Sequence, residues 1–498
     1  MTTLADLDEQ LVELTRPAAW RNPPPEPQYD LVVIGGGTAG LVTAMGAAGL
    51  GARVALIERH RLGGECLHNG CVPSKALLRT ARAAGELRKA AGVGVQASAV
   101  TVDFSAAIRR MRARRAALAP NDAADRLVRA GVRLFFGDAR FAGPRDVIVG
   151  GDRLRFARAL IATGSRPAVP PIPGLQQIRF LTNETIFDLT ACPARLIVVG
   201  GGAVGCELAQ AFGRFGARVT LIEQGDRLLP HDDENAARIV QQGLEADGVQ
   251  VALGVRVERV AQRQGAIVVS VVHPTSRRTE ELAGDRLLVA AGRTANVEAL
   301  DLETAQIAVG PHGIVADDYL RTTNRRVYAA GDVCGQFQFT HAADAMARIV
   351  VQNALFPVRR KAGRLTIPWC TYTDPELAHV GLGAAEASRR HGVQTLTVPF
   401  ADIDRAVLDD ETTGFVRVHH RDGRLLGCTI VGTGAGELIG YAAEAIARRS
   451  TLTAWASAIF PYPTRAEAFR KAGDAYRRGR LTPAVRRWLE RYFQLTRW

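Results

Sequence analysis

Lysine is nearly absent from this chain: of its 63 basic residues four are lysine, at positions 75, 89, 361 and 471. The formal charge of +13 is therefore carried by arginines, which are spread throughout and form no single stripe. That distribution reads as coding bias and solvated helix faces, and it argues against a nucleic-acid partner. Cysteine is sparse as well. Seven cysteines in 498 residues, at 66, 71, 192, 206, 334, 370 and 428, leave only the first two close together, which excludes a disulfide framework. Residues 1–10 carry acids and no basic-then-apolar signal pattern, so the expected location is the cytoplasm. One uncharged run, Leu31 to Ala52, is long enough to cross a bilayer, but its seven glycines fit a buried strand, turn and helix instead. At this length the chain suits about three domains, not one core.

What the chain does have is an internal repeat. The run Leu31-Val32-Val33-Ile34-Gly35-Gly36-Gly37-Thr38-Ala39-Gly40 realigns 165 positions later with Leu196-Ile197-Val198-Val199-Gly200-Gly201-Gly202-Ala203-Val204-Gly205. The same offset carries Leu56-Ile57-Glu58 onto Leu221-Ile222-Glu223. Both copies read strand, glycine turn, helix, strand, acid. Gly35 and Gly200 allow the tight turn, Gly37 and Gly202 admit a pyrophosphate, and Gly40 and Gly205 let the helix pack closely on the strand. The helix N-terminus offers N–H groups to the phosphates. Glu58 and Glu223, each 18 residues past the third glycine, are placed to accept hydrogen bonds from ribose hydroxyls. Two such fingerprints imply two dinucleotides.

Between the copies lies the stretch Gly63 to Lys75, with Cys66 and Cys71 five positions apart ahead of a helix-forming run. Such a pair in an intracellular chain suggests electron or metal chemistry more than a structural staple. Zinc needs a second ligand pair, which His68 alone does not supply, so no metal site is expected. A thiolate at a helix start beside Lys75 has a lowered pKa and stays available for exchange near neutrality.

Elsewhere the pattern predicts a short N-terminal helix carrying Leu4, Leu7, Leu11 and Leu14, followed by a proline-rich linker at 22–27. Ser74 to about Arg129 is expected as two helices broken near Gly92 to Thr101, and strands are expected at 132–136, 147–149, 159–161, 249–253, 267–272 and 287–290. From Ile367 to Phe460 alternating strands and helices suggest a separate α+β domain.

These motifs, together with Ala162-Thr163-Gly164 and Ala330-Gly331-Asp332, resemble the pyridine nucleotide–disulfide oxidoreductases over residues 29–470. The resemblance implies an α/β fold with two Rossmann-like domains, one for FAD and one for NAD(P)H, and a C-terminal α+β dimerisation domain. The boundaries expected are 1–28 for the extension and linker, 29–165 and 296–365 for the FAD domain, 166–295 for the NAD(P)H domain, 366–480 for the dimerisation domain and 481–498 for a basic C-terminal helix. It implies a homodimer in which Cys66 meets the substrate, Cys71 contacts the flavin, and Lys75 lies near the flavin paired with Glu207. It also implies cofactor contacts at Gly64, Thr163, Gly164, Gly292, Arg293, Gly331 and Asp332. Electrons would run from NAD(P)H through FAD to the Cys66–Cys71 disulfide and on to a disulfide, metal ion or other electrophile, either a small molecule or a carrier protein. Glu223 favours NADH, because a carboxylate repels a 2′-phosphate, although Arg227 nearby blurs the choice with NADPH.

The sequence departs from the family at two places. Disulfide reductases of this kind carry His-Pro-x-x-x-x-Glu near the C-terminus, and here the run is Tyr462-Pro463-Thr464-Arg465-Ala466-Glu467. Tyrosine titrates near pH 10 and does not shuttle protons as imidazole does, so Tyr462 and Glu467 are catalytic candidates that argue against glutathione and dihydrolipoamide. Mercuric reductases share the tyrosine and resemble the chain at 372–376 and 435–439, but the expected vicinal cysteine pair at the C-terminus is missing, which argues against mercury. The second departure is the tail, where Val485, Trp488, Leu489, Tyr492 and Leu495 share one helical face amid Arg486, Arg487, Arg491 and Arg497. Docking on its own dimer is favoured over peripheral contact with the inner face of the membrane. The competing functional readings are a lipoamide-type dehydrogenase, a membrane-associated quinone reductase and a flavin-bound redox sensor.

Overall fold

The computed structural model describes residues 3–97, 99–274 and 276–497. Ser98, within the expected helix break, and Trp498, the end of the expected tail helix, lie outside the described residues, as do Met1, Thr2 and Thr275. The chain divides into two units, Met1–Gln224 with Val255–Leu365, and Gly225–Gly254 with Thr366–Trp498.

In the first unit α1 (Leu4–Thr15) precedes β1 (Tyr29–Ile34), α2 (Thr38–Gly49) and β2 (Val54–Glu58). Beyond them come β3 (Val132–Phe136), β4 (Ala139–Gly143), β5 (Asp146–Val149) and β6 (Asp152–Ile161). The main sheet runs β3–β2–β1–β6 in parallel, continues antiparallel through β5 and β4, and takes Val327–Ala329 in parallel beside β6. Side chains alternate across β1: Val32 and Ile34 enter one core, Leu31 and Val33 the other. A strand buried on both faces reads as a continuous apolar run, which is why Leu31 to Ile34 shows no polar alternation.

The second fingerprint builds a separate set of parallel strands, Arg218–Ile222, Arg195–Val199 and Arg286–Val289, with the helix Ala203–Arg214 following its glycine turn. The stretch expected as two helices forms three: α4 (Cys71–Lys89), α5 (Phe104–Leu118) and Ala124–Arg129. The extra break falls at Pro120, which has no N–H to continue α5, and a tight turn through Ala119–Asp122 results.

The second unit carries a five-stranded antiparallel sheet ordered Pro368–Thr371, Glu376–Gly381, Arg424–Gly432, Phe415–Arg421, Gln394–Pro399. Helices Ala435–Ala447, Leu452–Ser457 and Glu467–Gly479 pack on it through Trp455 and Phe469. The two units give the expected α/β architecture with an α+β C-terminal part. The tail forms Pro483–Thr496, capped by Thr482, and none of its residues is buried. Among the described residues no helix is long and apolar enough to cross a membrane.

Candidate active site

Cys66 and Cys71 lie on two successive helical pieces. Gly63 turns the chain with φ 97°, α3 (Gly64–His68) carries Cys66, and Cys71 is the first residue of α4. Pro73 sits in the first turn of α4, where a missing N–H costs nothing. Both cysteines are free thiols. The Cys66 thiol is raised above its ordinary value by its hydrogen bond to Cys71 and by burial. Cys71, the more exposed of the two, goes the other way, to about 6, because Cys66 donates to it, Thr340 Oγ1 lies 3.3 Å away and Lys75 adds positive charge, which together outweigh desolvation and the Glu207 carboxylate. One thiolate therefore sits at the start of α4, with its partner holding the proton.

The folded value of Cys71 lies below the ordinary thiol pKa of about 8.5, so the thiolate and the stability it contributes are fully present above that value and are lost as pH falls through about 6. In two-electron-reduced enzyme the long-wavelength absorbance of a thiolate against flavin should fall to half near pH 6 on acidification. A midpoint above pH 8 would remove the hydrogen-bonded thiolate.

Lys75 Nζ donates to both carboxylate oxygens of Glu207, at 2.8 and 3.1 Å. Glu207 comes from the helix Ala203–Arg214, so the pair ties the dithiol helix to the second dinucleotide fold. Three turns along, Gly85 leaves room for the buried Arg214 guanidinium, whose Cζ would lie 2.6 Å from an added Cβ, and Arg88 donates to the Arg214 carbonyl at 2.7 Å. Removing one partner of a buried pair costs roughly 3–5 kcal/mol. The cost here is smaller, because the Lys75 side chain is 39% exposed.

A second network runs from the residue before Cys66. Glu65 accepts from Arg293, at 2.7 Å through one of two bonds, and from Asn183 at 2.7 Å. Arg293 Nε donates to Ser165 Oγ at 2.8 Å, and Ser165 donates to Asp332 at 2.7 Å. Burial pushes the Glu65 carboxyl up while Arg293 pulls it down. Arg293 and Asp332, expected at a cofactor, are thus joined to the dithiol segment through Glu65 and Ser165. Thr163 donates to the Asn296 carbonyl at 2.6 Å, and the Asn296 N–H donates to the Gly164 carbonyl at 2.9 Å, fixing that turn beside Asp332.

The first fingerprint fits an FAD pyrophosphate. A Cβ on Gly40 would fall 1.8 Å from the Gly35 carbonyl oxygen, and one on Gly64 would fall 2.7 Å from Gly37 Cα, so bare backbone from two segments lines the turn. The N-cap Gly37 brings no side chain to the first N–H groups of α2, which leaves them for an anion. Glu58 accepts from the Gly36 and His60 N–H groups, both at 2.6 Å. The second copy repeats this: Glu223 accepts from Gly201 N–H at 2.6 Å, and a Cβ on Gly205 would lie 1.9 Å from the Gly200 oxygen. Gly292 precedes Arg293 in the left-handed region at φ 103°, and Gly331 precedes Asp332 at φ 80°.

Tyr462 and Glu467 belong to the second unit. Tyr462 is 71% exposed and donates to Asp404 at 3.0 Å, a bond that raises its pKa above the ordinary 10. Glu467 is buried and accepts from Arg470, while its other oxygen has no hydrogen-bond partner among the described residues. Cys334 packs against the core of the first unit, and burial pushes its thiol up to about 12, so it is no thiolate near neutrality. Glu65, Asn183, Ser165 and Thr340 were not candidates from the sequence. Of these only Glu65 carried a signal, an acid adjoining Cys66.

Two dinucleotide folds joined through a helix that begins with a thiolate define a nucleotide-dependent flavoprotein oxidoreductase. The chain belongs to the pyridine nucleotide-disulphide oxidoreductases, whose pattern matches residues 29–347 and whose dimerisation domain matches 367–473. A mercuric reductase of Acidithiobacillus ferrooxidans is 36% identical over 473 residues, covering 91% of this chain and 83% of that protein. A dihydrolipoyl dehydrogenase of Bacillus subtilis is 32% identical over 467 residues, covering 90% and 98%. The HOCl-induced flavoprotein disulfide reductase RclA from Escherichia coli superposes with a TM-score of 0.79 at 28% identity, covering 90% and 99%, and has also been solved as a Cu(II) complex. The protein is an FAD-dependent oxidoreductase served by a pyridine nucleotide, and its dimerisation domain points to a homodimer.

Proposed function

We propose that this enzyme passes two electrons from NADH to an electrophilic acceptor through Cys66 and Cys71. The observation that carries the reading is the placement of Cys71 as the first residue of α4, with Thr340 Oγ1 at 3.3 Å and Lys75 one turn along, and of Cys66 on the short helix just before it. FAD, which the turn at Gly35, Gly37 and Gly40 and the facing Gly64 would hold, would supply the two-electron chemistry between nicotinamide and disulfide. Cys71 keeps its negative charge on the flavin side, stabilised by Thr340 and Lys75, and Glu207 holds Lys75 in place. Cys66 is the thiol that attacks the acceptor. With a disulfide acceptor, Cys66 passes its proton to Cys71 along their hydrogen bond and attacks as the thiolate, forming a mixed disulfide. The first leaving thiolate takes that proton from Cys71 and departs as a thiol. Cys71, again a thiolate, attacks Cys66, restores the Cys66–Cys71 bond and releases the second thiolate, which takes a proton from solvent. Glu58 and Glu223 receive ribose hydroxyls, and Glu223 disfavours the 2′-phosphate of NADPH. Tyr462, its hydroxyl committed to Asp404, binds and orients and does not act as the proton shuttle.

Anaerobic titration with NADH and with NADPH, followed by an acceptor panel of Hg(II), Cu(II), lipoamide, glutathione disulfide and quinones, tests this. NADH should give the thiolate absorbance at lower nucleotide concentration, and at least one soft electrophile should be turned over faster than oxygen. Turnover confined to the slow oxygen rate would leave a redox sensor.

A second reading concerns location. On the tail helix Trp488 is 64% and Leu495 87% exposed, beside Arg486, Arg487 and Arg491. That face suits an anionic lipid surface. The full-length enzyme should co-sediment with phosphatidylglycerol vesicles, and Arg486→Glu with Arg491→Glu should release it. Equal binding to neutral vesicles, or none to either, would assign the face to the partner subunit instead.

A further inference from the structure

The helix α1 lies ahead of the segment matched to the family, which starts at residue 29, yet it shares an apolar cluster with the residue that follows each cysteine. Leu11, 1% exposed, packs with Leu67 and Ala119, and Leu14 and Val72 close the same cluster. Leu67 follows Cys66, and Val72 follows Cys71. A second contact is polar. Asp8 accepts from Arg112 and, at 2.9 Å, from Arg115, and Arg115 in turn donates to the His68 carbonyl at 3.0 Å. His68 ends α3, a helix too short to satisfy its own last carbonyls. Arg112 and Arg115 are 9% and 7% exposed, and Asp8 sets its carboxylate against both of these buried cations. Past the end of α1, Leu62 N–H donates to the Thr15 carbonyl at 3.1 Å, and Arg16 donates to the Arg59 and His60 carbonyls at 2.7 and 3.0 Å.

We infer that α1 is a strap that fixes the spacing of the two cysteine-bearing turns, with Asp8 a positioning residue acting through Arg115 on α3. The inference rests on the reading of Cys66 and Cys71 as a redox pair. Disulfide formation inside a protein depends on the effective concentration of one thiol at the other, and that concentration is highest when both are held in place. Apolar packing behind both cysteines and an ionic tie to the end of α3 supply the hold. Loosening either lets α3 drift relative to α4 and favours the dithiol over the disulfide.

The test equilibrates flavin-bound, full-length enzyme anaerobically in mixtures of dithiothreitol and its cyclic disulfide. In this exchange the Cys66–Cys71 bond breaks and dithiothreitol gives up two electrons and two protons as its sulfurs join in a ring; Cys66 keeps one proton as a thiol, and the other goes to solvent while Cys71 stays a thiolate. Acid quenching, alkylation and mass spectrometry of the peptides carrying Cys66 and Cys71 give the ratio. Asp8→Asn and Leu11→Ala should each move it toward the dithiol about tenfold, equivalent to about 30 mV. Asp8→Glu should restore the original ratio, and Ile430→Val, in the core of the second unit, should lower thermal stability without moving it. An Asp8→Asn ratio within about twofold of the unsubstituted enzyme overturns the strap, whether or not Leu11→Ala folds. If the unsubstituted enzyme never forms the Cys66–Cys71 bond, the redox-pair reading falls and takes the strap with it; a bond that forms with an unchanged ratio in Asp8→Asn sinks the strap alone.

Discussion

Cys71→Ser enzyme should bind FAD and accept hydride from NADH near the unsubstituted rate, yet lose turnover with every acceptor reached through the dithiol by at least about 10³-fold. The cause is local. The side chain at 71 is the first residue of α4, where the helix N-terminus, Lys75 and Thr340 all favour an anion. A serine hydroxyl does not ionise there, so the long-wavelength absorbance should vanish with the turnover. Cys66→Ala should lose the same turnover and keep the absorbance, because the thiolate at 71 remains. Its titration should move, however. The hydrogen bond from Cys66 is the largest influence lowering the Cys71 pKa, so without it the midpoint should rise above 6. Stopped-flow reduction, steady-state turnover and a pH titration of the absorbance separate these effects. Retention of the band in Cys71→Ser would reverse the roles of the two thiols, and full turnover in Cys66→Ala would end the relay.

Much of this site was legible in the sequence because it is written in local patterns. The glycine spacing of each fingerprint reflects contacts between residues five apart, such as Gly40 against the Gly35 oxygen, and the buried strands reflect a periodicity of two. The pairing of Lys75 with Glu207 spans 132 positions and came from the family resemblance, not from any pattern in the chain. The tie between Glu65 and Arg293 spans 228 positions, and that between Cys71 and Thr340 spans 269, so nothing in either neighbourhood names the partner. The same holds for α1. Its leucine spacing predicts an apolar face, and Leu7 and Leu11 are buried, but the pattern does not say that this face lies behind the two cysteines. The third helix at Ala124–Arg129 was missed because the apolar rhythm from Ser74 onward masked the break at Pro120.

The two glycines of the second fingerprint should fail in different ways, and the difference tests whether the nucleotide helix also serves the dithiol. A Cβ at Gly205 would lie 1.9 Å from the Gly200 oxygen, so Gly205→Ala must push the helix Ala203–Arg214 away from its strand. That helix carries Glu207, two residues on, and the displacement would stretch its bonds to Lys75. Gly205→Ala should therefore slow hydride transfer from NADH by at least about 100-fold, the scale expected when a reacting geometry is misplaced by an ångström, and should also shift the pH at which the Cys71 thiolate titrates, since Lys75 lowers that pH and Glu207 raises it. Flavin occupancy should stay full, because the first fingerprint is untouched. A Cβ at Gly202 meets nothing within 4 Å. Gly202→Ala should accordingly keep its thermal stability and its thiolate midpoint while raising the KM for NADH, since the added methyl intrudes only when a pyrophosphate approaches. Stopped-flow kinetics, melting curves and the thiolate titration on both variants decide the matter. An unchanged thiolate midpoint in Gly205→Ala would mean that the helix binds nucleotide without steadying Lys75, and equal damage from the two substitutions would show that the steric distinction between the glycines does not govern the site.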